Sequence, residues 1–356
     1  MKSAIFDPYL DSLGGGERYI GAFAQTLLKL GWQVDLLWHD KAIVDKLTSH
    51  FGLNLTNIKV VPNFFSEPFI NKLLKTKNYD LIFYLSDGSI PTIFSGKSWL
   101  HLQVPFQDVQ GESAKNKLKL KLISRVIVNS SFTKKVIDRE FGVSSQVIYP
   151  PVDTDRFIPG KKERTILYVG RFSHLLQGKR QQLLIETFNK LPQKDIRGWR
   201  LILAGGTTVG FSNEDKLNLQ KSIKGKSVEL VFDPDLAKLT SLYSHASIFW
   251  AAGGYGFDPN KTPEKMEHFG ISLVEAMSAG CLPLAVNLGG YPEILTGSSL
   301  SKYLWETPQE LTIKTLDLIR NSKLTGHQQE IRDRALAFSQ EKFTIAISEA
   351  LKNDFS

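Results

Sequence analysis

Short apolar runs alternate with helix-length segments along most of this chain, and this alternation restricts its fold more than any other feature. In the first 150 residues, strand-like runs stand at residues 4–6, 34–38, 58–61, 81–85, 100–104, 126–129 and 147–149. Helix-length segments stand between several of them, at residues 17–30, 67–77 and 131–141. Strands and helices that alternate with short connections form a parallel sheet covered by helices on both faces. The sequence therefore predicts an α/β fold.

The alternation is interrupted once, where Pro150 and Pro151 can neither continue a strand ladder nor open a helix comfortably. It then restarts, with strand-like runs at residues 165–169, 201–204, 228–232, 248–251 and 282–286 and helical segments at 180–191, 214–224, 236–245 and 271–279. Residues 306–353 hold no strand-like run and predict terminal helices. A chain of 356 residues is long enough for two domains.

We therefore expect two Rossmann-like domains, at residues 1–150 and 151–335, with parallel sheets facing a cleft. The remaining residues, 336–356, predict a terminal helix that returns to pack on the first domain. In such folds, ligands settle at the C-terminal ends of the strands, which would line the cleft.

Charge and cysteine content restrict the classes of partner. Lysine and arginine total 44 against 36 acidic residues, a formal net charge of +8 that does not call for nucleic acid. An anionic substrate or a membrane surface explains this mild excess equally well. Cys281 is the only cysteine, which excludes an intrachain disulfide and a multi-cysteine metal cluster. The apolar run before Asp7 is too short for the core of a secretion signal, so we expect a cytoplasmic protein.

A glycine-rich segment, residues 12–17, follows the first predicted strand and precedes the first predicted helix. Gly15 and Gly16 would let the backbone approach a ligand closely, and the helix start would offer N–H groups to an anion. A tight strand-to-helix turn without a ligand explains the same pattern.

Two cations follow the first predicted strand of the second half. Arg171 directly follows the strand and its glycine, and Lys179 precedes the next helix. At the C-terminal edge of a strand they would flank a diphosphate and neutralise the charge that grows as it leaves. Solvated surface cations are the alternative.

Two glutamates, Glu267 and Glu275, stand eight positions apart across the predicted start of a helix. Glu267 would reach sugar hydroxyls and Glu275, about one turn into the helix, ribose hydroxyls. Phosphate would be bound by the backbone N–H groups between them, at Phe269, Gly270, Ile271 and Ser272.

Several motifs together resemble one known family. They are the glycines at 14–16, NSSFT at 129–133, PPVDTDRF at 150–157, GRFS at 170–173 and the stretch EHFGISLVEAMSAGCLPLAVNLGGYPEIL at 267–295. They resemble retaining glycosyltransferases of family 4, which have the GT-B fold. Within that family, the segment EHFGI and the preceding segment IFWAAGGYG are similar to the corresponding sequences of mannosyltransferases that extend lipid-linked oligosaccharides, and of their bacterial relatives.

The resemblance assigns roles to residues of this chain. Arg171 and Lys179 would hold the donor diphosphate together with the glycine-rich segment, and Glu275 would hold the ribose. Glu267 would contact the transferred sugar, and His101, in WLHLQVPF, would face the sugar and acceptor side. The loop before Lys179 is longer than the shortest family form, which leaves the register of Lys179 against Arg180 open.

The implied reaction moves a sugar from a nucleoside-diphosphate sugar to a hydroxyl of a glycan or lipid-linked acceptor, with retention of configuration at the anomeric carbon. GDP-mannose is the favoured donor, and a UDP-sugar is the second choice. No cofactor or metal is expected, since the two D-x-D sequences, at 153–155 and 233–235, stand away from the diphosphate loop. A nucleotide-sugar epimerase and a non-catalytic sugar-nucleotide binding protein remain as alternatives.

A basic run in the first half suggests a further contact. The segment 115–121 alternates lysine with other residues, and Leu118, Leu120 and Leu122 interleave with the charges. A basic amphipathic surface of this kind suits peripheral contact with anionic lipid at the inner membrane face. A solvated helix face is the alternative.

Overall fold

The computed structural model describes residues 1–173, 178–208, 210–320 and 327–356. The chain divides into two compact units, which we call the N-terminal unit and the second unit. The N-terminal unit contains Met1–Pro151 together with Gln340–Ser356, and the second unit contains Val152–Ser339.

Thirteen strands are formed in the described residues. In the N-terminal unit they are β1 (Lys2–Phe6), β2 (Gln33–Leu37), β3 (Lys59–Val61), β4 (Leu81–Leu85), β5 (Lys97–Leu102), β6 (Arg125–Val128) and β7 (Gln146–Val147). In the second unit they are β8 (Glu163–Val169), β9 (Arg200–Gly205), β10 (Val228–Phe232), β11 (Ala246–Ala251), β12 (Leu282–Val286) and β13 (Leu304–Trp305).

Thirteen α-helices accompany them in the described residues. The first seven are α1 (Gly15–Lys29), α2 (Ile43–Phe51), α3 (Phe69–Thr76), α4 (Ala114–Leu120), α5 (Ser131–Phe141), α6 (Gln181–Asn189) and α7 (Asn213–Ser222). The others are α8 (Leu236–His245), α9 (Ile271–Ser278), α10 (Tyr291–Leu295), α11 (Pro308–Arg320), α12 (Gln328–Leu336) and α13 (Gln340–Phe355).

Each unit is built on one parallel sheet. The strand order is β3-β2-β1-β4-β5-β6-β7 in the N-terminal unit and β10-β9-β8-β11-β12-β13 in the second. In the second sheet, the chain moves outward in one direction from β8 and in the other from β11. These two strands therefore meet at the point where the winding reverses, which is where ligands bind in open parallel sheets. The predicted α/β class is confirmed.

The N-terminal sheet has a separate core on each face. Right-handed crossovers place α1 and α2 on one face and α3, α4 and α5 on the other, because the two halves of the sheet wind in opposite directions. The first core holds aromatic side chains such as Tyr19, Phe83 and Trp99. The second holds Tyr84 and Phe141 among others.

The last helix, α13, packs on the N-terminal sheet. Phe343 and Ile347 lie in the core beside α1. The carboxylate of Asp354 accepts a hydrogen bond from Trp99 Nε1 at 2.6 Å and pairs with Arg125 at 2.6 Å. This segment begins at Gln340 rather than at residue 336, because α12 before it packs against α9 of the second unit.

Across the four described ranges, no helix is both long enough and apolar enough to cross a bilayer. The same residues contain no group of three or more His, Cys, Asp and Glu side chains placed to hold a metal ion.

Candidate active site

Most of the predicted ligand-binding residues lie at the C-terminal edge of β8, β11 and β12 in the second unit. Gly170 and Arg171 follow β8, residues 252–270 follow β11, and residues 287–290 follow β12. Since these three parallel strands are neighbours, the segments after them lie side by side. A hydrogen bond of 3.0 Å from Gly178 N to Lys265 O joins the loop before α6 to the loop before α9.

Lys179 and Glu267 form an ion pair in this region. The Lys179 Nζ atom lies 2.7 Å from Glu267 Oε2, and each side chain is only 13% exposed. Burial raises the pKa of Glu267, but the charge and hydrogen bond of Lys179 outweigh it and hold that pKa below its ordinary value. The Tyr291 hydroxyl donates a second hydrogen bond to Oε2 at 3.4 Å. Glu267 is therefore ionised and can act only as a hydrogen-bond acceptor.

Lys179 and Arg180, between which the sequence left the register open, have different partners in the structure. Arg180 has a left-handed backbone (φ 58°), and its guanidinium lies over the Phe257 ring at 4.1 Å. Its Nε donates to Tyr255 O at 2.5 Å. Arg180 therefore supports the neighbouring loop, and Lys179 is the cation that faces Glu267. The long loop that raised the question includes residues 174–177, which lie outside the described residues.

The start of α9 presents backbone N–H groups beside this ion pair. Gly270 precedes the helix with φ 116°, and a Cβ at this position would lie 2.9 Å from the Tyr291 ring. Only glycine combines that backbone conformation with that contact. The first N–H groups of a helix have no partner within it, and the helix dipole favours an anion there. The segment from Phe269 to Ser272 therefore stands at a helix N-terminus, and its contact with phosphate stays a prediction.

Two glycines after β12, Gly289 and Gly290, pack against the backbone of residues 267–269, and the sequence analysis did not identify them. Gly290 N donates to Glu267 O at 2.8 Å. A Cβ on Gly289 would lie 2.4 Å from Glu267 O, and one on Gly290 would lie 2.5 Å from Phe269 Cα. The available signal was the pair of glycines directly after a predicted strand, at the same sheet edge as Arg171.

His268 links Arg171 to the same region. Burial lowers the pKa of His268 to about 4; the neighbouring Glu267 opposes this, while the charges of Lys179 and Arg171 reinforce it. The His268 imidazole is therefore neutral at neutral pH. The charge of Arg171 is the smaller of these two reinforcing effects.

Glu275 has a different environment from Glu267. It lies one turn into α9, is 5% exposed, and its Oε2 accepts a hydrogen bond of 2.9 Å from the Tyr243 hydroxyl on α8. Tyr243 is fully buried. Glu275 therefore takes part in the packing of α8 against α9, and its contact with ribose stays a prediction.

The glycine-rich segment lies in the N-terminal unit, where Gly15 and Gly16 are the first two residues of α1. The Glu17 carboxylate closes the turn by accepting hydrogen bonds from Gly14 N at 2.5 Å and Ser12 Oγ at 2.8 Å. A Cβ on Gly16 would lie 2.9 Å from Gln103 Oε1, the end of a flexible side chain that can move aside. The segment thus forms a closed strand-to-helix turn, and the predicted diphosphate contact of Gly15 and Gly16 stays a prediction.

His101 lies within β5 of the N-terminal unit. It pairs in register with Leu85 and Ile127 inside the sheet and is fully buried. Its Nδ1 lies 3.1 Å from Ile127 O, and its ring stacks on Tyr19 at 4.0 Å. Burial lowers its pKa to about 3. Its Nε2 atom is buried and has no hydrogen-bond partner among the described residues, and a contact with substrate stays a prediction.

Gln103 stands two residues further along, just beyond β5, and is the side chain that reaches the glycine-rich segment. Its neighbour across the sheet, Asn129, donates from Nδ2 to Gln103 O at 3.0 Å. No pattern in the sequence distinguished Gln103 from its neighbours, because its position depends on where the strand ends.

Two family models match the chain. Residues 152–335 match the model described as glycosyl transferases group 1, and residues 13–156 match that of glycosyltransferase family 4. The first match covers most of the second unit and includes the ion pair and the start of α9.

Curated relatives are similar at modest identity. The chain is 26% identical over 240 residues to a GDP-Man:Man(3)GlcNAc(2)-PP-Dol alpha-1,2-mannosyltransferase of Dictyostelium discoideum, covering 62% of this chain and 45% of the relative. It is 26% identical over 198 residues to the lipopolysaccharide core biosynthesis mannosyltransferase LpsB of Rhizobium meliloti, covering 52% of this chain and 51% of the relative. The chain thus spans about half the length of these curated relatives.

Solved structures share the fold. A glycosyltransferase from Rickettsia africae superposes with a TM-score of 0.76 at 17% identity, covering 100% of this chain and 98% of the other. Anabaena Alr3699/HepE, solved with UDP and glucose, gives 0.70 at 18% identity and covers 99% of both chains. These similarities confirm the expected GT-B fold.

Proposed function

Because the chain belongs to the glycosyl transferases group 1 family, we propose that it moves a sugar from a nucleoside-diphosphate sugar to a hydroxyl of a glycan or lipid-linked acceptor, with retention at the anomeric carbon. The observation that carries the proposal is the Lys179–Glu267 pair beside the start of α9, at the C-terminal edge of β8, β11 and β12. An epimerase has no support from the family models or the similar structures.

The donor diphosphate would be held by the N–H groups at the start of α9 and by the cations Lys179 and Arg171. On binding, a phosphate oxygen would share the Lys179 amine with Glu267. Negative charge grows on the diphosphate as the glycosidic bond breaks, and fixed cations and N–H groups stabilise it most in the transition state.

Glu267 would orient the transferred sugar. Its ionised carboxylate accepts hydrogen bonds, and Lys179 and Tyr291 hold it in place. No protein group needs to act as the base if the leaving phosphate oxygen takes the proton of the acceptor hydroxyl on the same face, which also accounts for retention. The contribution of the protein is then positional and electrostatic.

GDP-mannose is the proposed donor because the curated relatives are mannosyltransferases, one of them named for that donor. A UDP-sugar is second, since a similar structure was solved with UDP. No metal is proposed, and both D-x-D sequences have other partners: Asp233 accepts hydrogen bonds from Thr207 at 2.7 and 2.6 Å, and Asp153 pairs with Arg156 at 2.9 Å.

Thermal unfolding with a panel of nucleoside diphosphates and their sugars tests the donor site. A ligand at about 100 times its dissociation constant stabilises by about 2.7 kcal/mol. We expect GDP-mannose to raise the Tm of the unmodified protein and of the control Arg164→Ala, which alters the opposite end of β8. Arg171→Ala should lose most of the shift, and equal shifts in both variants would contradict the site.

Transfer itself is tested with labelled GDP-mannose and a lipid-diphosphate sugar as acceptor. NMR of the product should show the anomeric configuration of the donor. Binding without hydrolysis or transfer to any acceptor would instead support the non-catalytic alternative, and a larger shift with a UDP-sugar would reassign the donor.

A further inference from the structure

Two helices on one face of the N-terminal unit expose apolar side chains instead of burying them. On α3, Phe69, Ile70 and Leu74 are 57%, 68% and 60% exposed. Leu118 on α4 and Leu122 just after it are 66% and 39% exposed. Both helices are described in full: only Thr76 of α3 is buried, and no residue of α4 is. We call these five exposed side chains the apolar strip.

The two parts of the strip belong to one surface. The crossovers through α3 and α4 run in the same direction across the sheet, which places both helices on the same face. The loop between β4 and β5 contacts both: the Phe69 ring meets the Phe94 ring at 6.0 Å, and Lys119 Nζ donates to Ile90 O at 2.6 Å. Burial lowers the pKa of Lys119, and so do the positive charges of Lys115 and Lys72. Because Lys72 belongs to α3, charges of the two helices act on each other.

Basic residues accompany the strip along both helices. Residues 68–79 contain three lysines and no acidic residue. Residues 113–137 contain six lysines, four of them in the segment 115–121, and again no acidic residue. Glu67 pairs with Lys75 at 2.5 Å and Glu112 with Lys117 at 3.4 Å. Within the described ranges, no ion-pair partner is seen for Lys77, Lys115 or Lys121, so their charges are available to an external anion.

We propose that α3, α4 and the apolar strip dock the protein on an anionic phospholipid bilayer. A bilayer surface offers anionic headgroups to the lysines and, directly beneath them, apolar chains to the strip. Nucleic acid would satisfy the lysines but leave the strip in water. The inference goes beyond the proposed function, because it concerns a surface with no part in the donor site; a lipid-linked acceptor would explain why docking is useful.

Vesicle co-sedimentation tests the proposal, using phosphatidylglycerol mixed with phosphatidylcholine against phosphatidylcholine alone. The unmodified protein should bind the anionic vesicles, and binding should weaken as salt rises from about 0.1 to about 0.5 M. The double variant Ile70→Gln/Leu74→Gln should bind about tenfold or more weakly, since it removes two inserted side chains. Lys115→Ala and Lys121→Ala should each cost about fivefold.

Matched controls come from the second unit, where Ile313 is 65% exposed and Lys221 is also exposed. Ile313→Gln and Lys221→Ala should leave vesicle binding unchanged. All variants should keep the Tm shift with GDP-mannose, so a failure of docking and a failure of the proposed function are distinguishable.

Three results would overturn the proposal. The first is no binding to anionic vesicles at low salt, or binding that Ile70→Gln/Leu74→Gln does not weaken. The second is self-association in sedimentation velocity that this double variant abolishes, which would make the strip an interface between copies of the chain. The third is tighter binding to an RNA or DNA oligonucleotide than to vesicles.

Discussion

The amine of Lys179 lies 2.7 Å from a carboxylate oxygen of Glu267, and both side chains are largely buried. The two residues were expected to contact different parts of one ligand, the diphosphate and the sugar. The two residues satisfy each other, so these buried charges of the site are paired. Removing one partner of such a pair leaves a buried charge without compensation.

We expect Lys179→Met to lower the free energy of unfolding of the second unit by about 3 kcal/mol. The double variant Lys179→Met/Glu267→Gln should regain most of this loss, because no charge is left unpaired. Urea unfolding of the three proteins measures both effects. Equal losses in the single and double variants would show that the pair contributes nothing specific.

The same pair has an expected pH dependence. The pKa of Glu267 in the folded protein lies below its ordinary value. The stabilisation by the ion pair is therefore fully present at pH values above the ordinary pKa, and it is lost as the pH falls through the lower pKa of the folded state. Lys179→Met should therefore differ most from the unmodified protein at neutral pH. The difference should shrink in acid, and a constant difference across that range would contradict the assignment.

A methyl group at Gly289 should disturb the site without touching a ligand. Its Cβ would lie 2.4 Å from Glu267 O, and the backbone has φ 62°. We expect Gly289→Ala to lose most of the Tm shift with GDP-mannose. Gly297→Ala is the matched control, since Gly297 has φ 75° and no heavy atom within 4 Å of its Cβ position. It should show the backbone strain, about 1–2 kcal/mol, with normal ligand binding.

Variants of the hydrogen-bonded residues Tyr243 and Glu275 distinguish a structural role of Glu275 from a role in ligand binding. Tyr243→Phe should cost about 1 kcal/mol of stability, because it removes one buried hydrogen bond, and should keep the nucleotide-induced Tm shift. Glu275→Ala should lose that shift if the carboxylate contacts ribose. A normal shift in Glu275→Ala would show that this residue serves only to pack α8 against α9.

His101 should make stability depend on pH. Its pKa is about 3 in the folded state, below the ordinary value of about 6.5, because the ring is buried. The unfolded chain therefore binds a proton that the folded chain does not, and stability falls by about 1.4 kcal/mol per pH unit below pH about 6.5. His101→Gln should flatten this slope in urea unfolding measured between pH about 7 and about 5. An unchanged slope would assign the pH dependence to other groups.

His101 and Gln103 stand two residues apart but have different environments. The sequence showed a histidine near the end of an apolar run, but a shift of two residues along a strand separates its interior from its edge. β5 ends at Leu102, so His101 is in the core and Gln103 reaches Gly16. Strand ends depend on pairing with neighbouring strands, and the apolar run alone did not define them. The same limit explains the two-residue strand β13 and the short helix α10, neither of which was predicted.

Local chemistry in the sequence was sufficient for the α/β class, for the helix after Gly270 and for the cations near β8, because periodicity, glycine and charge act over a few residues. Pairing between distant segments was not accessible in this way: Lys179 on Glu267, Tyr243 on Glu275, Gly289 beneath the Glu267 backbone, and the joining of α3 and α4 into one exposed surface. Each of these contacts exists because parallel strands bring remote loops to one sheet edge or helices to one face. That arrangement is set by the packing of the whole unit.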